Sequence, residues 1–465
     1  MSKSIWLDDL KKENYKELDK DLELDVLIIG GGITGISCAY SLLDSGLKTA
    51  LVEANLIGEG VTSRTTGKIT YLQENVYSKI KKYVGLSASR LYFKSQKEAI
   101  KTISNIIKKE DIACDFIKCS SYVFTNSSKI SDLRDEKKLL ESFGAKVYED
   151  ISLPDGSNNK YNIYVDDTYV FHPLKYLYSL KKIISKKIDI YENSRILKIS
   201  KCDNYYMCMT DRYTIKAKKI VLASHYPYFI FPFFMIGKVW LEKSYVSALK
   251  VDNFLDFSAI NVDRNVMSLR YHKSGDDIYK IYLYESHNIC NKIYKNISDN
   301  SLYSWTNMDI MTGDHLPFIG EVSKNFFLAT GYNTWGMTNG VIAGSIIRDL
   351  LLGRDNLYKE LFDPRRSINL GKILNYFKAL SSNVLAYVTT MITNKNKYCK
   401  LEKIDGKHVY TYNKHRVYAR CPHLGCFLVL NKIDNTWDCP CHGSRFSIDG
   451  RCIDGPSNYN IRYKK

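Results

Sequence analysis

Apolar positions follow two periods along the chain, and the alternation between them predicts the elements. Residues 24–29 (Leu-Asp-Val-Leu-Ile-Ile) form an almost unbroken apolar run, the pattern of a strand buried on both faces of a parallel sheet. Residues 36–43 read as a helix, and residues 49–52 (Thr-Ala-Leu-Val) as a second buried strand. Residues 75–110 mix Lys and Glu with periodic Ile, Tyr and Leu, which predicts helices. A strand is expected over 161–170, leading through His172 and Pro173 into a helix over 174–184. Short alternating stretches at 197–200, 205–209 and 213–216 predict a meander, followed by a buried strand at 219–224. Between 235 and 287 period two dominates, as at 267–271 and 278–284, so an antiparallel sheet is expected there. Residues 326–329 form a last buried strand before a helix over 341–352, and residues 397–465 hold only short strands. The fold class is therefore α/β with an inserted antiparallel, α+β portion, followed by a small all-β module.

Hydropathy gives no membrane span. The most apolar run, 226–237, holds two prolines and is too short to cross a bilayer. Residues 374–391 are interrupted by Asn375, Lys378 and Asn383 and read as an amphipathic linker helix. Pro364 ends the preceding helical pattern. Composition adds little. The net charge of +17 comes from lysines scattered among Ile, Tyr and Asn, with no compact basic block, so no specific nucleic acid is expected. An acidic redox protein is the partner this charge suits. Of 12 cysteines, eight show no paired spacing, which indicates reduced thiols. With no apolar signal core near Met1, a cytoplasmic location is expected.

Candidate chemistry starts at Gly30, Gly32 and Gly35, a G-x-G-x-x-G placed between the first strand and its helix. Gly30 makes the tight turn, Gly32 admits a pyrophosphate, and Gly35 lets helix and strand pack. The helix start, at Ile33 and Thr34, offers N–H groups and positive dipole to phosphates. Glu53 ends the second strand, where it can accept ribose hydroxyls. Strand, helix, strand and acid in this order indicate dinucleotide binding. No second fingerprint exists, which argues against a pyridine nucleotide reductase. The other centre is at Cys421-Pro422-His423 and Cys439-Pro440-Cys441-His442, where two arms each offer a thiolate and an imidazole. Such a set suits zinc or an iron–sulfur centre.

These residues carry two resemblances. The C-terminal pattern resembles the Rieske [2Fe–2S] family, in which two Cys hold one iron and two His the other. The resemblance implies Cys421 and Cys439 on one iron and His423 and His442 on the other. It implies a disulfide between Cys426 and Cys441, and a covering loop at Gly450, Gly455 and Pro456. Both histidines are expected at an exposed tip. Ser444 matches a family hydroxyl near the cluster, but the Tyr position is Phe446, so a potential below that of the respiratory members is expected. The rest of the chain, with Gly331, Trp335, Gly336, Met337 and Thr338 in a strand–turn–helix, resembles the D-amino-acid/glycine oxidase family of FAD-dependent oxidoreductases. There this turn faces the flavin. The resemblance implies FAD, with the loop Ser63, Arg64, Thr65, Thr66 and Gly67 along the cofactor and main chain near Leu197 at the adenine. Arg64 is a candidate for the pyrophosphate or a substrate carboxylate. His172 reads as structural and His225 as a buried turn residue, while Arg270, Tyr271 and Tyr284 read as sheet core.

The implied organisation is an FAD-dependent oxidoreductase over 1–366, a linker helix over 367–396 and a Rieske domain over 397–465. FAD-binding parts are expected at about 22–75, 160–225 and 305–355, and substrate parts at about 76–159 and 226–304. The implied activity passes electrons between a small amine or amino-acid-like substrate, flavin, cluster and a redox protein of the acidic ferredoxin kind. An electron carrier or redox sensor without its own substrate, and an oxygen-using oxidase, stand as alternatives. No catalytic residue is identified.

Overall fold

A computed structural model describes residues 4–463, except 9, 11–12, 228–237, 286–300, 367–380, 382–384, 386–387, 390–395 and 397. The predicted βαβ unit forms the centre of an eight-stranded sheet. Leu22–Ile29 lies between Thr49–Val52 and Thr214–Leu222, parallel to both, and Phe326–Thr330 continues the sheet beyond Thr214–Leu222. Ile28 and Leu27 are fully buried, as a strand covered on both faces requires. The stretches 213–216 and 219–224, expected as separate strands, join in the single strand Thr214–Leu222. The meander strands Lys198–Lys201 and Tyr206–Met209 form at this sheet's side.

The helices Ile33–Ser41 and Gly336–Leu351 both begin at the carboxyl ends of these strands. Gly35 shows why the first can start so close: a Cβ there would stand 1.8 Å from the carbonyl oxygen of Gly30. Carboxyl ends of parallel strands with helix starts above them make the crevice where such folds bind ligands.

A nine-stranded, mainly antiparallel sheet stands opposite. Its order is Tyr303–Thr312, Val239–Val251, Asp277–Glu285, Met267–Ser274, Phe257–Asn261, Ile117–Thr125, Asn158–Val170 and Lys68–Ile69, with Tyr148–Ser152 beside Asn158–Val170. It reaches beyond 76–159 and 226–304, taking in strands on either side of those limits. Helices Val76–Tyr83 and Leu86–Lys109 follow the predicted period. His172 caps helix Pro173–Ile184, its Nδ1 accepting from the Lys175 N–H at 3.2 Å. Arg270 is buried and donates to the carbonyls of Thr66, Gly67 and Phe171 at 3.0 Å each, a clamp on main chain.

The C-terminal module has a three-stranded sheet, Lys400–Ile404, Lys407–Tyr412 and His415–Tyr418, and a four-stranded one, Val429–Asn431, Thr436–Asp438, Arg445–Ser447 and Cys452–Asp454. Trp437, fully buried and stacked on Tyr410 at 5.2 Å, fills its core. Ser381, Leu385, Val388 and Thr389 are helical; the rest of the expected linker helix lies mainly outside the described residues. No described helix is long and apolar enough to cross a membrane.

The module sits directly on the larger part. Arg445 pairs with Asp438 at 3.0 Å and Asp434 at 3.1 Å, with Arg445 and Asp438 buried and the Asp434 side chain shielded from solvent. From the larger part Arg64 reaches Asp434 at 3.1 Å and Lys243 reaches Asp438 at 3.0 Å. Thr306 accepts from Asn431 at 2.9 Å and from Arg445 at 2.8 Å. Burial alone would raise the Asp438 carboxyl, but Arg445 and Lys243 hold it far below the usual range.

Candidate redox site

A long cleft opens where the parallel strands end. Gly30, Gly32, Ile33, Thr34, Glu53, Thr65, Thr66, Gly331, Trp335, Gly336 and Met337 all line it. Glu53 is held by its neighbours: its oxygens accept from the N–H of Gly31 at 2.7 Å and of Asn55 at 2.9 Å. Burial raises its pKa, and those two bonds oppose the rise. The Ile33 N–H is already taken by Thr62 Oγ1 at 3.0 Å. A glycine-walled groove at a helix start, with an acid fixed at the second strand, fits a dinucleotide.

Six expected residues lie elsewhere. Gly35 is behind the groove, in the packing role its spacing gave it. Ser63 is buried and donates to Glu59 and Gly60 carbonyls. Gly67 lies under the Arg270 clamp. Leu197 uses its N–H on Met209, and its carbonyl accepts from Asn458 at 3.2 Å. Thr338 is inside the helix, its hydroxyl accepting from Gln73. Arg64 departs furthest: it turns away from the cleft to Asp434 and the Thr306 carbonyl, because the docked module supplies a buried carboxylate.

Other lining residues were not expected as contacts. Lys68, Ile260, Ser268, Leu283, Glu285, Asn307 and Asp309 come from the antiparallel sheet. Arg451, Ile453, Asp454, Gly455 and Asn458 come from the C-terminal module. The module thus closes one wall of the cleft. Asn55 donates to the Ile453 carbonyl at 2.7 Å, and Arg195 to those of Ser457 and Cys452. No sequence signal marks these contacts; only docking brings the segments together.

The four cysteine and histidine ligand candidates converge in the module. Each arm closes on itself: the Cys421 N–H donates to the Cys426 carbonyl at 2.9 Å, and the Cys439 N–H to that of Ser444 at 2.7 Å. The Cys421 and Cys439 thiols share a hydrogen bond, and the imidazoles of His423 and His442 lie 5.1 Å apart. Both ring nitrogens of His423 and Nδ1 of His442 are buried without a hydrogen-bond partner. Paired thiols beside two unsatisfied imidazoles fit a [2Fe–2S] cluster held by two Cys and two His. Cys426 and Cys441 are joined by a disulfide, Cα to Cα 6.8 Å. The sulfurs of Cys426, Cys439 and Cys441 also cluster within 4.8 Å, but two of them form the bridge and are not free to bind metal.

The exposed tip is corrected in part. His423 is half-buried, with Leu424 beside it 42% exposed, but His442 is only 5% exposed. Its ring packs on Tyr226 at 5.7 Å. The neighbouring His225 lines the cleft, with φ +61° and Nε2 2.9 Å from the Met308 carbonyl. A small cavity is bordered by His225, Asn307 and Asp454 of the cleft wall and by Tyr226 and His442. Two consecutive residues therefore connect the cleft to a candidate iron ligand.

Comparisons agree with both halves. The family model described as FAD dependent oxidoreductase matches residues 25–350, and the Rieske [2Fe-2S] domain model matches 392–463. YhfW of Bacillus subtilis, whose name marks it as a Rieske 2Fe-2S iron-sulfur protein, is 30% identical over 98% of this chain and 96% of its own. OrdL of Haemophilus influenzae, named as an oxidoreductase, is 23% identical over 71% of this chain and 83% of its own. Among solved structures, glycine oxidase from Geobacillus kaustophilus superposes with a TM-score of 0.61 at 15% identity, covering 75% of this chain and all of that one.

Proposed function

Because the chain belongs to the FAD dependent oxidoreductase family and carries a Rieske [2Fe-2S] domain, we propose that it oxidises a small organic amine or amino-acid-like substrate and delivers the electrons to a separate redox protein. Bound FAD supplies two-electron chemistry and a bound [2Fe–2S] cluster one-electron transfer. The observation that carries the reading is the His225–Tyr226 connection, with His225 in the cleft wall and Tyr226 packed on His442. Gly30, Gly32 and the helix start beyond Ile33, whose own N–H is held by Thr62, would seat the pyrophosphate, with Glu53 at the ribose. Cys421, Cys439, His423 and His442 would hold the cluster, with Ser444, fully buried, close to the Cys421 thiol. The docked module keeps bulk water from one wall of the cleft, and His423 with Leu424 presents the outward side to the partner. The formal charge of +17 suits an acidic ferredoxin-like carrier.

The test is anaerobic mixing of the holoprotein with candidate amines, following flavin bleaching and the cluster's EPR signal together. Flavin bleaching followed by appearance of the reduced-cluster signal is expected. Bleaching with a cluster that never becomes reduced would refute the proposal.

A further inference from the structure

We infer that the antiparallel-sheet wall of the cleft is a cation site, and that the substrate is an amine whose positive charge lies against Glu285 and Asp309, not an amino acid held by its carboxylate. The inference rests on reading the cleft as the place where a small organic substrate is oxidised.

The argument begins with strand register. In antiparallel strands directly opposed residues share a face, as do residues two apart along one strand. Ser244 stands opposite Glu285 on one side and Asn307 on the other. Two residues along, Glu242 stands opposite Asp309. Glu242, Ser244, Glu285, Asn307 and Asp309 therefore share one face, and Glu285, Asn307 and Asp309 line the cleft. Of the acids on this face, Glu285 and Asp309 line the cleft together, where their like charges repel. A cation set between Glu285 and Asp309 offsets that repulsion.

A second observation is independent of charge. Asn307 is 4% exposed, and its Nδ2 donates to Asp309 at 3.0 Å, which fixes the amide's orientation. Its Oδ1 is then a buried acceptor with no donor. Ser244 Oγ, at 2% exposure, is also without a partner. Buried acceptors are normally satisfied. An ammonium group carries only donors, so it complements two carboxylates and an orphan carbonyl oxygen together.

The basic groups nearby do not offer the opposite reading. Lys79 is committed to Glu74 at 3.2 Å. Lys68 donates to the Ala259 carbonyl at 2.8 Å and to Ser268 Oγ, and it is the only basic residue of this sheet among the described residues lining the cleft. Burial, then Arg270, lowers its pKa to about 7, which weakens it further as an anchor for an anion. No arginine from the sheet reaches the cleft among the described residues, since Arg270 is used up on main-chain carbonyls.

The test uses FAD-loaded full-length protein and two probes of similar size and opposite charge, tert-butylammonium, which keeps three N–H donors, and pivalate. Flavin absorption is recorded during titration. A saturable spectral change with tert-butylammonium and none with pivalate is expected. Glu285→Gln or Asp309→Asn should weaken the cation's binding by at least about tenfold, with cofactor content and circular dichroism unchanged. A saturable response to pivalate, or no response to the cation, would overturn the cation site. Either result leaves transfer from flavin to cluster to be judged by the anaerobic mixing experiment, so the two ideas fail separately.

Discussion

At the scale of single residues, small chemical differences carry definite consequences. Phe446 is fully buried in the cluster module and has no hydroxyl to donate. One added hydrogen bond is worth about 1 kcal/mol, and about 1.4 kcal/mol corresponds to 59 mV for one electron. Phe446→Tyr should therefore raise the cluster midpoint by roughly 40 mV, measured by redox titration under EPR. The acidic wall has a pH signature. Burial, then Glu74, Glu242 and Asp309, pushes the Glu285 carboxyl up to about 9; burial, then Glu242, pushes Asp309 up to about 7. Both pKa values are raised by folding, so the neutral forms favour the folded state. Their contribution is complete below the unfolded carboxyl range near about 4. It is lost as pH rises through about 7 for Asp309 and about 9 for Glu285. Thermal unfolding between pH 5 and pH 9 should show this loss, and the double variant Glu285→Gln/Asp309→Asn should remove it.

At the scale of elements, the N-terminal turn Ile5–Leu7 acts on the cleft from a distance. Trp6 is fully buried, lies edge-on to His172 and His272, and donates from Nε1 to the Thr65 carbonyl at 2.7 Å. Ser4 Oγ donates to the Ser63 carbonyl at 2.5 Å. Together with the Arg270 clamp on Thr66 and Gly67, these bonds fix a loop with little regular structure. Trp6→Ala leaves a large cavity, which costs about 3–5 kcal/mol, and frees the Thr65 carbonyl. A lower melting temperature and faster loss of FAD are expected, by calorimetry and by flavin fluorescence after dilution. The sequence contained the loop but not its supports, because nothing in residues 63–67 indicates that the turn at Ile5–Leu7 packs on them.

At the scale of the whole molecule, the arrangement depends on charges buried between the two parts. Removing the cation shared by two buried carboxylates leaves each with one partner fewer, at a cost below that of a fully unpaired buried charge, about 3–5 kcal/mol. Arg445→Met leaves Asp434 with Arg64 alone and Asp438 with Lys243 alone. The variant should have a larger radius in small-angle scattering and slower electron exchange between its centres, while substrate still bleaches the flavin. Asp438 gives the pH dependence. Its pKa is depressed in the folded state, so its contribution is present above the ordinary carboxyl range and lost as pH falls through its folded value. Docking should hold at pH 5–8 and weaken in acid below about pH 4, again by scattering.

The sequence by itself determined the two cofactor-binding halves. Each is encoded by residues close along the chain: Gly30, Gly32, Gly35 and Glu53 in one βαβ unit, and Cys421, His423, Cys439 and His442 in two short loops. Local spacing imposes their geometry. Tertiary structure alone decided how the halves face each other. It turned Arg64 from the cleft to Asp434, buried His442 against Tyr226, and set residues 451–458 in the wall of the cleft. It also aligned Glu285, Asn307 and Asp309 on one face. These outcomes depend on register between distant strands and on which surface is covered, and no short stretch of sequence encodes either.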